Sequence, residues 1–302
     1  MASDNTLIVV VGPTAIGKTA LAIDLARQFS TEVISADSRQ FFREMEIGTA
    51  KPSNEELLAA PHHFINSHSV QNLFSTGDFE VQALELINEL FKKNRLLVMV
   101  GGSGLYIDAV CNGLDNLPQT DISIRMSLNE LLATEGIEAI KKQLSNVDPE
   151  YYGKVDQANP QRMIRGLEFY LSTGQKLSSF LTNSKKERPF NIIKIGLNTE
   201  RTELYERINR RVDQMMEAGL LDEVKRLNPY RNYNALNTVG YSELFAYLDG
   251  DLTLQDAVDK IKQNTRRFAK RQLTWFRKDH SIAWFNPSQT DAVISHIIQK
   301  TG

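Results

Sequence analysis

The stretch VVVGPTAIGKTAL, from Val9 to Leu21, limits most strongly what this chain of 302 residues can fold into. An apolar run leads into a glycine loop that matches GxxxxGK[ST], and a helical pattern rich in alanine and leucine follows. In that context the backbone N–H groups of the loop and the N-terminus of the helix together bind phosphate groups. The residues expected to bind phosphate are Gly12, Pro13, Thr14, Ala15, Ile16, Gly17, Lys18 and Thr19, and the Thr19 hydroxyl is expected to hold Mg²⁺.

Short apolar runs without period-two alternation predict strands that are buried on both faces, as in a parallel sheet covered by helices. The runs lie at Leu7–Val11, Glu32–Ala36, His63–Asn66, Leu96–Val100 and Ile192–Leu197. A helical pattern covers Thr76–Lys93, and residues 281–285 (SIAWF) form a candidate edge strand. The sequence therefore predicts an α/β fold with a P-loop-type parallel sheet flanked by helices.

The pattern changes in the middle of the chain. From about Asn116 to Lys186 it indicates only helices and loops, and the strand pattern then resumes. We therefore expect a core formed by residues 1–115 and 188–302, with an inserted all-helical domain at 116–187.

Composition bounds the function further. A formal net charge of −2 predicts no overall attraction to nucleic acid or membrane, so any such attraction must come from a local patch. Cys111 is the only cysteine, which excludes an internal disulfide or a cysteine zinc cluster and is typical of a reducing cytosol. No run approaches the roughly 18 apolar residues of a membrane span, so we expect a cytoplasmic protein without a membrane partner.

Polar residues follow two of the predicted strands. Asp37, Ser38, Arg39 and Gln40 come after the second strand, at the edge where ligands of open α/β sheets bind. The Asp37 carboxylate suits a general base and the Gln40 amide suits an adenine edge, although a turn or helix-cap role for Asp37 fits equally. Ser103, in VGGSGLY, is either a helix cap or a hydroxyl directed into the same crevice.

The strand LLVMV ends in Gly101 and Gly102 and not in the aspartate that normally supports Mg²⁺ in ATPases and GTPases. Phosphoryl transfer is therefore not implied by the loop alone, and the loop can equally hold a diphosphate that leaves.

The segment Lys260–Lys278 contains eight lysines or arginines and no acidic residue. A solvated helix usually mixes both signs, so this segment favours a polyanionic partner. Phe268, Leu273 and Phe276 are predicted to form its buried side.

A second basic cluster comprises Arg207, Arg210 and Arg211. From the residues alone, we interpret it as an exposed helix face that pairs with Glu203 and Glu206.

Six stretches together resemble the bacterial tRNA dimethylallyltransferases, which prenylate the adenosine on the 3′ side of the anticodon. They are GPTAIGKT, ISADSRQFFREMEIGTAKP, VGGSGLY, NPQRMIRGLEFY, VGYSE and AKRQLTWFRKD, and they lie between residues 12 and 279 in the family's order. The resemblance implies dimethylallyl diphosphate as donor, with its diphosphate and Mg²⁺ on the Gly12–Thr19 loop. It also implies Asp37 as the general base for the exocyclic N6 amine, with Ser103, where the family usually has threonine, and Arg211 completing the catalytic set.

The resemblance further implies contacts with the tRNA anticodon stem-loop, and the inserted helices are expected to bind the anticodon arm. The implied tRNA-binding residues are Asp37, Ser38, Arg39, Gln40, Gln161, Arg162, Met163, Ile164, Arg165, Gly240, Tyr241, Arg267, Lys270, Arg271, Gln272 and Arg277. We expect a monomer, and the sequence leaves open whether ATP binds.

Three departures from the family pattern stand out. Asn159 replaces a frequent aspartate, Ser242 stands where arginine or lysine is common, and the eukaryotic C-terminal zinc finger is absent, which indicates the bacterial form.

Three other functions would explain part of the same sequence pattern. A small-molecule P-loop kinase explains the loop and Asp37 but leaves the helical insertion and the basic segment unused. Prenyl transfer to a free acceptor such as AMP leaves the same two features unused. An RNA-binding protein whose loop only senses a nucleotide leaves Asp37 unused.

Overall fold

The computed structural model describes residues 4–182 and 184–302, so residues 1–3 and 183 of the predicted domains lie outside the described residues. The chain divides into two compact units. The larger unit contains the chain up to Asn112 and from Glu187 onward, and the smaller unit is Gly113–Lys186.

A six-stranded sheet forms the centre of the larger unit. Its strands are β1 (Thr6–Val11), β2 (Val33–Ser35), β3 (His62–His63), β4 (Leu96–Gly101), β5 (Asn191–Leu197) and β6 (Ala283–Phe285). The spatial order is β3-β2-β4-β1-β5-β6, and every neighbouring pair is parallel. The predicted parallel α/β fold is therefore confirmed.

Both faces of the sheet are covered, which explains the unbroken apolar runs in the sequence. Along β1, Leu7 and Val9 belong to one apolar core, whereas Ile8 and Val10 belong to the core on the other side of the sheet. The helices of the larger unit are α1 (Lys18–Gln28), α2 (Asn54–Ala59), α3 (Thr76–Leu90), α4 (Gly104–Asn112), α9 (Arg201–Glu217), α10 (Leu220–Leu227), α11 (Tyr241–Leu248), α12 (Leu254–Phe276) and α13 (Thr290–Thr301).

The predicted strand at His63–Asn66 is wrong beyond its first residue. The observed strand β3 ends at His63, because Phe64 and Asn66 have φ angles of 62° and 55°. These angles lie in the left-handed region, which a strand does not contain.

Within the described part of the smaller unit the regular elements are all helices, joined by loops. Its helices are α5 (Ile122–Glu135), α6 (Ile137–Val147), α7 (Pro149–Lys154) and α8 (Pro160–Thr173), and they enclose an apolar core of their own. The Asn159 side chain accepts a hydrogen bond from the Arg162 N–H at the start of α8. Because asparagine and aspartate are comparable helix caps, this departure from the family pattern preserves the local structure.

Buried carboxylates also stabilise the smaller unit. Asp148 accepts hydrogen bonds from the backbone and hydroxyl of Ser178, and Glu168 accepts hydrogen bonds from Arg125, Arg165 and Thr120. Each carboxylate is therefore paired with donors that compensate for its burial.

None of the helices in the described ranges has the length and apolar character that a membrane crossing requires.

One buried glutamate fixes the turn Ile47–Thr49, which lies near the phosphate loop in the larger unit. The Glu223 carboxylate, on α10, accepts hydrogen bonds from the backbone N–H groups of Glu46, Ile47 and Gly48 at 2.8–3.2 Å. It also accepts a hydrogen bond of 2.6 Å from the Tyr241 hydroxyl. These contacts give the turn a single position.

We expect Glu223→Gln to lower the free energy of unfolding by about 2–3 kcal/mol, because an amide NH₂ would then face N–H and O–H donors. Urea unfolding of the full chain measures this change. The matched control is Asp222→Asn, on the same helix, where the carboxylate is 70% exposed and pairs only with Lys225. Equal unfolding midpoints for the two variants would contradict the role assigned to Glu223.

Candidate active site

The phosphate loop leaves β1 at Gly12 and enters α1 at Gly17. Gly12 has a φ of 147°, and a Cβ there would lie 2.7 Å from the Leu197 carbonyl oxygen, so only glycine fits. Gly17 has a φ of 103° and caps α1 without a side-chain hydrogen bond. The first N–H groups of the helix are thus available to an anion, as the motif predicts.

Two cations lie beside this loop. The Lys18 ammonium donates a 2.7 Å hydrogen bond to the Pro13 carbonyl oxygen, and Arg211, on α9, donates one of 3.4 Å to the Ala50 carbonyl oxygen. Burial lowers the pKa of Lys18 from 10.5 to about 8, with Asp37 raising it and Arg211 lowering it. Burial likewise lowers the pKa of Arg211. Two desolvated cations against one carboxylate favour an anionic ligand.

A small pocket of about 70 Å³ lies at these cations. Its lining includes Thr14, Lys18, Thr19, Asp37, His62 and Arg211. The predicted phosphate residues Thr14, Lys18 and Thr19 therefore meet the predicted catalytic residues Asp37 and Arg211 at one place.

A larger cavity of about 480 Å³ shares part of this lining. Aromatic and aliphatic side chains form much of its lining, among them Tyr106, Met215 and Trp275, together with Phe268, which also lines the small pocket. Asp37 lines both spaces, so its carboxylate lies at the junction between a cationic pocket and an apolar cavity.

Short hydrogen bonds order the segment that follows β2. The Asp37 carboxylate accepts from the Arg39 N–H at 3.0 Å. The Ser103 hydroxyl accepts from the Ser38 N–H at 3.0 Å and donates to the Ser38 hydroxyl at 3.1 Å, which ties the ends of β2 and β4 together. The Gln40 amide donates to the Thr49 and Ala50 carbonyl oxygens, so the turn at Ile47–Thr49 is attached to the same segment.

Gln272, on α12, connects the phosphate loop to the end of β4. Its side-chain oxygen accepts from the Thr14 N–H at 2.8 Å, and its NH₂ group donates to the Gly102 carbonyl oxygen at 2.9 Å. A Cβ at Gly102 would lie 2.2 Å from the Gln272 nitrogen, which explains the second glycine after LLVMV.

Residues 260–276 of the basic segment lie in α12, and Arg277 and Lys278 follow the end of that helix. The cations of the segment lie on two sides. Arg271 lines the large cavity together with Phe268 and Trp275. Lys270 and Arg277 instead line a separate pocket of about 400 Å³, which also includes Arg201. The predicted burial of Phe268 is wrong, because its ring is 38% exposed and forms part of the cavity wall, whereas Phe276 is buried.

The arginines of α9 likewise have different surroundings. Arg207 forms an ion pair with Glu203 at 3.1 Å, as expected from the residues alone. Arg211, one turn further along α9, is only partly exposed and lines both the small pocket and the large cavity, so it does not belong to a solvent-exposed face.

Four residues in the predicted tRNA-binding set have buried side chains. They are Met163, Ile164, Tyr241 and Gln272. Met163 and Ile164 lie in the core of the smaller unit, and the other two make the internal hydrogen bonds described above. Met163, Ile164 and Tyr241 therefore pack or position neighbours, whereas Gln272 also lines the small pocket and the large cavity. The tRNA contacts of this set stay predictions.

Most of the remaining members of that set are more accessible, and Gly240 is buried. Gln161 and Arg162 are exposed on α8, and Arg165 is half-buried and pairs with Glu168. Gly240 lines the large cavity, and Arg267 is exposed on α12.

Sequence reasoning missed Glu223 and did not assign His62 to the site. Glu223 lies in an ordinary amphipathic helix, GLLDEVKRL, and no local pattern shows that its carboxylate turns inward toward residues 46–48. The paired histidines before an apolar run were a visible signal for His62, but its place in the small pocket depends on the sheet order.

Comparison with known proteins agrees with this geometry. The family model described as IPP transferase matches residues 40–279. The tRNA dimethylallyltransferase of Christiangramia forsetii is 55% identical over 281 residues, which cover 93% of each chain. The tRNA dimethylallyltransferase of Cytophaga hutchinsonii is 49% identical over 97% of each chain.

Solved structures agree as well. The full-length tRNA isopentenylpyrophosphate transferase from Bacillus halodurans is 39% identical, with a TM-score of 0.73 over 98% of this chain and 97% of its own. A eukaryotic dimethylallyltransferase acting on tRNA is 26% identical, with a TM-score of 0.77 over 97% of this chain and 77% of its own. The matched family model and these relatives show that the chain belongs to the IPP transferase family.

Proposed function

We propose that the protein transfers a dimethylallyl group from dimethylallyl diphosphate to the exocyclic N6 of the adenosine 3′ of the anticodon in tRNA, releasing diphosphate. One observation carries the proposal: the Asp37 carboxylate lies where the cationic phosphate pocket opens into the aromatic cavity. A diphosphate fits the pocket and an unstacked base fits the cavity, so the bond to be formed lies beside a general base. The family and the names of its tRNA-modifying members support this assignment.

The chemistry follows from these positions. The N6 nitrogen forms a bond to the allylic carbon, the carbon–oxygen bond breaks, and diphosphate leaves with the electron pair. Asp37 takes the proton that the amine loses. Lys18, Arg211 and the loop N–H groups stabilise the charge that develops on the diphosphate.

The cavity explains how a poorly nucleophilic amine can react. The rings of Tyr106, Phe268 and Trp275 offer surfaces on which an extruded base can stack, and Trp275 is oriented by a 2.8 Å hydrogen bond from its Nε1 to Asp108. Holding base and donor side by side supplies the proximity that the reaction requires.

The donor atoms of the small pocket fit Mg²⁺. Within the described ranges, no cluster of three or more His, Cys, Asp or Glu side chains could hold an ion, so the site depends on the diphosphate. The Thr19 hydroxyl would bind Mg²⁺ together with diphosphate oxygens, since this ion prefers hard oxygen ligands and retains several waters. When bound, Mg²⁺ neutralises charge on the leaving group.

The alternative functions explain these structural features less well. A kinase of this class normally has an aspartate at the end of another core strand, whereas β4, the best candidate strand, ends at Gly101 and is followed by Gly102. An RNA-binding protein without catalysis gives no role to a carboxylate at the junction of two ligand spaces. We further propose that the protein acts as a cytoplasmic monomer, and that exposed cations of α8 and α12 bind the anticodon arm.

The decisive experiment incubates the full chain with unmodified tRNA, dimethylallyl diphosphate and Mg²⁺, followed by mass spectrometry of the nucleosides. We expect a dimethylallyl group on the adenosine 3′ of the anticodon. AMP replaces tRNA in a parallel reaction, and modification of AMP alone would favour the free-acceptor function.

We expect Asp37→Asn to lower the single-turnover rate by about 100-fold or more while tRNA affinity is preserved, because the base is lost and the size is kept. The control is Asp24→Asn, on the exposed side of α1. A rate for Asp37→Asn that matches this control would exclude Asp37 as the base.

We expect the double variant Lys270→Ala/Arg277→Ala to weaken tRNA binding and to flatten its salt dependence. Each lost phosphate contact should reduce the slope of log K against log salt by roughly 0.7 to 0.9. The charge-matched control is Lys92→Ala/Lys93→Ala, at the end of α3 and outside the cavities described above. Binding isotherms at several salt concentrations measure the slopes, and a thermal melt verifies folding. Unchanged affinity and slope in the folded double variant would contradict an RNA contact on this side of α12.

A further inference from the structure

One histidine in the phosphate pocket has an unused hydrogen-bonding atom. His62 lines the small pocket with Thr19 and Asp37. Its Nε2 is the one buried polar side-chain atom that lacks a hydrogen-bond partner among the residues described here. Buried polar atoms are nearly always paired, so this atom requires a partner that is not part of the chain.

The chemistry of that partner follows from the other nitrogen of the ring. His62 Nδ1 lies 2.7 Å from the Ala60 carbonyl oxygen, which can only accept, so Nδ1 carries the proton. In the neutral ring Nε2 is then an acceptor. Burial lowers the pKa of His62, which favours this neutral form, although the hydrogen bond to Ala60 and the charge of Glu56 act in the opposite direction.

An acceptor in this pocket is poorly matched to a diphosphate oxygen, because both atoms would present lone pairs. It is well matched to a water molecule bound to a cation, since such a water uses its own lone pair on the metal and offers only hydrogen atoms. Mg²⁺ characteristically keeps several of its waters.

We propose that His62 is an outer-sphere ligand of the Mg²⁺–diphosphate complex, with Nε2 accepting a hydrogen bond from a metal-bound water. This inference rests on the proposed function, in that it assumes a diphosphate and its cation in the small pocket. His62 is a positioning residue, because it touches neither the reacting carbon nor the amine. Its effect is to orient the hydrated ion against the phosphate loop.

Two substitutions distinguish the contribution of His62 Nε2 from that of Nδ1. His62→Asn keeps a donor near the position of Nδ1 and removes the Nε2 acceptor. His62→Gln places an amide oxygen near the position of Nε2. The control is His63→Ala, because His63 is adjacent, pairs with Glu32 and lines a different pocket.

Calorimetric titration of the full chain with inorganic pyrophosphate tests the proposal, once in EDTA and once with saturating Mg²⁺. We expect His62→Asn to raise the Kd by about 10- to 100-fold with Mg²⁺, the range typical of outer-shell ligands, and to leave the Kd in EDTA unchanged. His62→Gln should recover part of the loss, and His63→Ala should match the wild type. Lys18→Ala should weaken binding in both conditions, because its contact is with the anion itself.

The other outcomes are distinct. An equal loss with and without Mg²⁺ would overturn the proposal and make His62 a direct diphosphate contact. No loss in either condition would also overturn it and assign Nε2 to an ordinary buried water. A wild-type protein that binds no pyrophosphate under either condition would instead contradict the proposed function.

A measurement on the wild type covers the case in which a variant fails to fold. ¹⁵N NMR of the His62 ring in the Mg²⁺–pyrophosphate complex should show a neutral imidazole with the proton on Nδ1. A doubly protonated ring in that complex would overturn the proposal.

Discussion

The parallel pairing of β1 with β4 and β5 is the constraint on which the rest of the structure depends. Val11 is opposite Gly101 on one side and Gly196 on the other, so β1 and β4 end at the same level and β5 ends one residue beyond. The phosphate loop, the glycine pair and the start of α9 all leave the sheet from this edge. Gly12 passes so close to the Leu197 carbonyl oxygen at the end of β5 that a Cβ there would lie 2.7 Å from it.

The site also depends on charges that the fold holds without full compensation. Lys18 and Arg211 are desolvated, and neither forms an ion pair within the described ranges. The attraction of a bound anion would offset the desolvation free energy of these two cations. Charges held in place in this way before the ligand arrives are the basis of electrostatic preorganisation. The smaller unit differs, since its buried carboxylates, Asp148 and Glu168, are fully engaged by donors.

The sequence was sufficient for the sheet and for the phosphate loop, because buried strands and glycine loops are local patterns. It also placed Asp37 at the ligand-binding edge, since the edge follows from parallel strands. It was insufficient for side chains whose roles depend on distant partners. Glu223 acts on a turn that lies more than 170 positions earlier in the chain, and no helical periodicity reports such a contact.

The burial of some side chains in the predicted RNA-binding stretches has a related cause. A sequence motif identifies consecutive residues, but in a helix the side chains of consecutive residues lie on different faces. Within QRMIR, Gln161 and Arg162 point outward whereas Met163 and Ile164 form the core. The burial of Phe268 was overestimated, because an aromatic side chain on an amphipathic helix can line a cavity as well as fill a core.

The two hydrogen bonds of the Gln272 side chain connect α12 to the phosphate loop and to the end of β4. The helix holds the Thr14 N–H on one side and carries Lys270 on another, with Arg277 directly after its end. A ligand that displaced α12 from the Lys270 side would therefore also displace the Thr14 N–H. By thermodynamic linkage, a ligand on the loop would then alter affinity on that side by the same factor.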